Sequence, residues 1–286
     1  MGLGKRLLTA AVALPLAFWA IHSGALLFAA VALILQAVCI HELGLLVMST
    51  GPACTITADG GRASSPLLMH FVAAGVCLAA TWGREMAGLA TMTGMAILIA
   101  RRLTLMHDHQ TALLACRDDV GGVDGKDVKG RMADAHMAVL SLEVAFMLYI
   151  IGGWSSLVVL RCSGRHGAGN VIFLLAVVFN ADNGGLFVGS MSKRVKQAIS
   201  GATTTPSFPN VLTLASPNKT WAGVAGAMTL GTLTAVAWSE GWGWAGYDGF
   251  SASSLPLQAR AAVGMALSVM GVVGDLGESM LKRAAK

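Results

Sequence analysis

The sequence predicts an all-α, polytopic integral membrane protein with about eight transmembrane helices and a cytoplasmic N-terminus. Three observations carry that prediction. The 286 residues are 55% hydrophobic and only 12% charged, with a mean hydropathy of +0.67, whereas soluble domains hold roughly 25% charged residues. The apolar residues gather into windows that suit a hydrocarbon core about 30 Å thick, which takes on the order of 20 helical residues. The basic residues sit at the ends of those windows, mostly on one side.

The first window, residues 7–21, follows Lys5 and Arg6 and could pass for the apolar part of a signal peptide. Pro15 lies inside it, however, and a second window at 24–48 follows almost at once, so a retained helical hairpin is expected. Further windows fall at 66–82, 86–100, 137–160, 168–189, 221–238 and 260–276. Residues 1–165 then form an N-terminal membrane bundle of five spans. Residues 166–286 supply three more, and the two regions make one membrane domain.

Lys and Arg accumulate on the cytoplasmic side of short loops. With the N-terminus inside, the inner segments hold Lys5, Arg6, Arg62, Arg101, Arg102, Arg117, Lys126, Lys129, Arg131, Lys193, Arg194, Lys196, Lys219, Lys282, Arg283 and Lys286, and the outer ones hold Arg84, Arg161, Arg165 and Arg260. Sixteen against four sets the orientation. The net charge of +5 therefore reflects topology. Without an aromatic-interleaved basic surface it does not point to nucleic acid.

The 35 glycines read as close-packing residues of membrane helices. The five cysteines, Cys39, Cys54, Cys77, Cys116 and Cys162, are scattered without a CxxC pair. They suggest neither a disulfide framework nor a zinc site, and read as small hydrophobes. Two inner segments are long. Residues 101–135 mix Asp118, Asp119, Asp124 and Asp127 with lysines and glycines, without the alternating ligand spacing of a calcium loop, and read as a solvated connector. Residues 190–220 read as a partly ordered loop whose far end is functional.

Three places carry chemistry. Asp182 lies in the apolar run from Phe173 to Gly189, where a carboxylate costs several kcal/mol unless it meets a polar cavity or a partner. It either ligates a metal or polar substrate, or caps a helix broken at Asn183, Gly184 and Gly185. The last span ends with Asp275, Glu278, Ser279, Lys282 and Arg283. Residues three and four apart share a helix face, so Asp275, Glu278 and Lys282 line one stripe with Ser279 beside it. Two such carboxylates can hold a divalent cation, while Lys282 and Arg283 can neutralise phosphate oxygens. The bland alternative is a positive-inside anchor with an ordinary Glu278–Lys282 pair. Finally, Ser216-Pro217-Asn218-Lys219-Thr220-Trp221 is a proline-fixed turn that places Lys219 at a helix N-terminus, where phosphate is attracted.

Taken in order, Ala181-Asp182-Asn183-Gly184 through Gly189, Ser216 to Gly223, and Gly274-Asp275-Leu276-Gly277-Glu278-Ser279 with Lys282-Arg283 resemble the phosphatidate cytidylyltransferases, or CDP-diacylglycerol synthases. The resemblance is distinct over residues 170–286 and architectural over 49–169. It implies transfer of a cytidylyl group from CTP to phosphatidic acid in the bilayer, with Mg²⁺ as cofactor and the active face cytoplasmic. It assigns Asp275 to the metal, supported by Glu278 or Asp182, and Lys219, Lys282 and Arg283 to phosphates. Ser216, Thr220, Trp221, Asn183 and Ser279 are then substrate-binding residues. Ala222 stands where the family usually has Glu, and Asn183 where it has Thr or Ser. The family's further His-Gly-Gly turn and Asp-Arg-x-Asp motif do not follow Lys286, which implies a C-terminally truncated relative. The alternatives are a degenerate non-catalytic membrane relative, a CTP-dependent lipid kinase, or a small transporter. The last would show inverted repeats, which are absent. Gly223, Gly226 and Gly231 permit close helix packing within the chain or across a homodimer.

Overall fold

The computed structural model describes residues 3–48, 66–116, 125–200, 216, 219–238 and 255–284. Among these there is no strand. The helices are α1 (Leu3–His22), α2 (Ala25–Met48), α3 (Pro66–Ala80), α4 (Arg84–Cys116), α5 (Gly125–Phe146), α6 (Gly152–Cys162), α7 (Gly167–Ser200), α8 (Trp221–Ala237) and α9 (Leu257–Ala284). A π-helical turn, Met147–Ile151, joins α5 to α6, and a 3₁₀ turn, Gly164–His166, precedes α7. Every predicted window falls on helix. Five stretches are long and apolar enough to cross a bilayer: Ala25–Glu42, Arg84–Asp108, His136–Cys162, Gly167–Val195 and Leu257–Met280. The apolar stretches Leu68–Ala80 and Trp221–Ala237 are shorter. The 17 residues of α8 rise about 25 Å.

The surface inverts the pattern of a soluble protein. Leu26, Phe71, Trp82, Met92, Phe187 and Met270 are each more than two-thirds exposed, while Gln36, Arg102, His136, Glu143, Ser155 and Ser268 are buried. An apolar exterior this extensive needs lipid around it, and the chain is a membrane protein.

The helices divide into two compact units, one ending at Cys162 and the other running from Ser163 to Ala284. The sequence places its own division at 165/166. In the first unit α1 packs on α2, α2 on α3 and α6, and α4 on α3, α5 and α6. Ile40, Val72, Val76, Leu98, Val139, Met147 and Ile151 form its core. Gly24 and Gly83 take positive φ in the turns after α1 and α3, a backbone conformation that only glycine adopts cheaply. Cys39, Cys77 and Cys162 are free thiols, and Cys77 donates to the Ala29 carbonyl at 3.6 Å. Cys54 lies outside the described residues.

Two sequence expectations change here. The segment 101–135 is mostly not a loop: α4 continues to Cys116 and α5 starts at Gly125, while 117–124, with Asp118, Asp119 and Asp124, lie outside the described residues. A helix leaving the membrane loses its hydrophobic signal without losing its hydrogen bonds. Nor is Arg102 a loop cation. Only 3% exposed, it donates through Nε and Nη2 to Glu143 at 3.2 and 2.5 Å. Glu143 sits inside the fifth predicted span, and a carboxylate there is stable only because the guanidinium neutralises it. Removing one partner strands the other charge in an apolar setting, so Arg102→Met is expected to cost about 3–5 kcal/mol. The double replacement Arg102→Met with Glu143→Leu should recover most of it. Reversible denaturation in mixed micelles reads both, and equal losses for the single and double variants would rule out the pair as the cause.

Candidate functional site

The second unit contains α7, α8 and α9, with α8 packed against both others and α9 touching α7. Small residues set how close they come. A Cβ on Gly184 would stand 2.5 Å from the Gly226 carbonyl oxygen, and one on Gly226 would stand 2.6 Å from that of Gly184. Further along, a Cβ on Gly223 would meet the Gly185 carbonyl oxygen at 3.0 Å, and one on Gly189 would meet Thr220 Oγ1 at 3.4 Å. The backbones of α7 and α8 therefore touch, as in small-residue seams of membrane helices. The partner of Gly223 and Gly226 is thus this chain's own α7. On the other side of α8, Gly231 lies against Ser268, and Gly264 against Ala235 and Thr232. At the far end Phe173 and Trp238 meet edge to face at 5.7 Å. Arg260 Nη1 donates to the Trp238 carbonyl at 2.7 Å, satisfying an acceptor that the end of α8 would otherwise leave open.

These contacts make α8 antiparallel to both neighbours. Its N-terminus therefore lies beside the later halves of α7 and α9. Thr220 is its N-cap: extended at φ −127° and ψ 150°, it accepts through Oγ1 from the Gly223 amide at 3.1 Å. Before it, the Lys219 amide donates to the Ser216 carbonyl at 3.1 Å, closing the turn expected from the sequence; Pro217 and Asn218 lie outside the described residues. Ser268 and Asp275 are seven residues apart and share one face of α9. With Ser268 on Gly231, that face turns Asp275 toward the start of α8. There Lys219 forms an ion pair with Asp275, their side chains 23% and 50% exposed. Two sequence motifs 56 residues apart thus converge on one contact.

The other sequence candidates are distributed around it. Glu278 and Arg283 on α9 are exposed, and Ser279 is half-buried beside them. Lys282 is on the same helix, one turn beyond Glu278. Ser216 and Thr220 are half-buried, and Trp221 is 62% exposed. Asp182 and Asn183 are exposed on α7, which runs unbroken to Ser200. No helix end exists there for Asp182 to cap, and residues 190–200 of the expected loop are helical. Asp182 precedes Gly189, which packs on Thr220, by seven residues, an axial rise of about 10 Å along α7. Among the described residues no three His, Cys, Asp or Glu side chains gather to hold a metal. Asp275 and Glu278, three apart on one helix, remain as a two-carboxylate set. That set suits Mg²⁺, which commonly takes one or two carboxylates and completes its shell with water and phosphate.

A family model described as the cytidylyltransferase family matches residues 4–286. The chain belongs to the cytidylyltransferase family. It is 34% identical over 134 residues to proteins named phosphatidate cytidylyltransferase from Brucella melitensis biotype 1, Brucella suis biovar 1 and Brucella abortus biovar 1. The aligned stretch spans 45% of this chain and 38% of each relative. No solved structure matches this cytidylyltransferase-family chain.

Ser268, which belongs to none of the sequence motifs, is fully buried in the second unit and donates to the Gly264 carbonyl at 2.7 Å. Its only signal in the sequence is its spacing, four residues after Gly264 and seven before Asp275.

Proposed function

We propose that the chain transfers a cytidylyl group from CTP to phosphatidic acid, giving CDP-diacylglycerol and pyrophosphate. The observation that carries this reading is the meeting of Lys219, at the cap of α8, with Asp275 on α9, in a chain of the cytidylyltransferase family. A phosphate oxygen of the lipid attacks the α-phosphorus of CTP. The bond from that phosphorus to the bridging oxygen breaks, and pyrophosphate leaves. No side-chain nucleophile is needed. The task of the protein is to bring two polyanions together and hold them in line, which calls for cations and amide donors.

Lys219 supplies one such cation, and the open amides at the start of α8 supply a positive dipole end. Lys282 and Arg283, at the end of α9, supply further charge for phosphate oxygens. Asp275, with Glu278 one turn on, would hold Mg²⁺, which when bound offsets phosphate charge. Ser216, Thr220, Trp221, Asn183 and Ser279 line the surroundings in this reading. The chain is multi-pass with its N-terminus and this site on the cytoplasmic side, an orientation supported by the asymmetry of Lys and Arg.

The test is a transfer assay on the full chain in detergent with phosphatidic acid, Mg²⁺ and CTP labelled on either its α- or γ-phosphorus. Label from the α-position alone should enter the lipid fraction, and only when phosphatidic acid is present. Lipid labelled from the γ-position would instead mark a CTP-dependent kinase, and unlabelled lipid from both would sink the proposal.

A further inference from the structure

We infer that Lys219 and the divalent cation compete for the same carboxylate, so that nucleotide and metal each open the site for the other. The inference rests on the proposed reaction and adds a binding order to it. The backbone of Lys219 is anchored: its amide is tied to the Ser216 carbonyl, and the next residue caps α8 against Gly189 of α7. From that anchor its ammonium lies on Asp275. A metal needs that same carboxylate. Among the described residues the site has no closed set of three carboxylates, histidines or thiols that could hold the metal while Asp275 is engaged.

The exchange conserves charge pairing. A nucleotide triphosphate offers Lys219 other oxygens and so releases Asp275. A metal on Asp275 conversely releases Lys219 toward phosphate. By linkage the two effects are equal, since whatever factor nucleotide contributes to metal affinity, metal returns to nucleotide affinity. Lys219 thus controls the metal's access to Asp275 as well as binding phosphate. Because Asp275 is half exposed, the expected coupling is about fivefold, at the low end of the usual range.

Acylation of lysine amines on the full chain, read by mass spectrometry at Lys219, follows the exchange without measuring turnover. Mg²⁺ alone, titrated against a chelator control, should raise Lys219 acylation about fivefold. Adding CTP with Mg²⁺ should then protect it. In Asp275→Asn the acylation should start high and stay flat across the titration. Glu278→Gln keeps the pair and should still respond, with its midpoint moved to higher Mg²⁺. Lys219 acylation that ignores Mg²⁺ in the wild type, or that still responds in Asp275→Asn, overturns the inference. The transfer assay separates the two ideas. An active chain with an unresponsive Lys219 loses only the shared carboxylate, whereas a responsive Lys219 in an inactive chain loses only the reaction.

Discussion

Asp275→Asn is expected to lower kcat/KM for CDP-lipid formation by about 10³-fold, equivalent to about 4 kcal/mol of transition-state stabilisation. The side chain keeps its size and its place on α9 but loses the charge that pairs with Lys219 and that the proposed Mg²⁺ would require. The loss should fall on kcat more than on KM for phosphatidic acid, because the lipid's acyl chains bind elsewhere and the missing charge acts where phosphate charge is redistributed. Raising Mg²⁺ should not rescue it. Lys219→Met should show the complementary pattern, with a raised KM for CTP. Steady-state kinetics with CTP and phosphatidic acid varied separately read both variants. An Asp275→Asn chain within about tenfold of wild type would remove Asp275 from the chemistry, since losing a group that stabilises transition-state charge costs about 10²–10³-fold.

That Asp275 could be singled out from sequence, and Arg102 could not, has a physical cause. The Gly274–Ser279 stretch combines helical spacing with charges at the end of an apolar window, and both are local features. The spans were legible for the same reason, since an uncharged apolar run in lipid has few alternatives to helix. The pair between Arg102 and Glu143 joins residues 41 apart in sequence. No periodicity reports such a contact, although Glu143 in an apolar window asked the same question as Asp182. The misread ends of α4, α5 and α7 share another cause. Polar helix turns beyond the membrane have the composition of loops, and only backbone hydrogen bonding shows that they continue. Asn183, Gly184 and Gly185 suggested a break because glycine weakens a helix by about 1 kcal/mol. In the folded chain Gly184 and Gly185 lie against α8, and close packing offsets that cost.

The same seam makes Gly226→Ala a severe change for so small a group. The added Cβ would lie 2.6 Å from the Gly184 carbonyl oxygen and 2.6 Å from the Val188 Cβ, so backbone as well as side chain must yield. Overpacking of this kind costs about 1–3 kcal/mol, which a melting curve in detergent would register. The larger effect is expected on activity. If α8 moves away from α7, it carries Thr220 and Lys219 with it, and a displacement of about 1 Å in a positioned group can cost roughly 10²-fold. Gly271→Ala is the internal control: it adds the same methyl group in the neighbouring α9, where nothing lies within 4 Å of the new Cβ. It should leave transfer unchanged and stabilise the helix slightly. Combining Gly226→Ala with Val188→Ala removes the Val188 Cγ2, 2.7 Å from the new Cβ, but leaves both the Val188 Cβ and the Gly184 carbonyl, so it should recover activity only in small part. Full recovery would assign the strain to the Val188 Cγ2 alone. Wild-type activity in Gly226→Ala by itself would mean that Lys219 does not depend on the α7–α8 seam for its reach to Asp275.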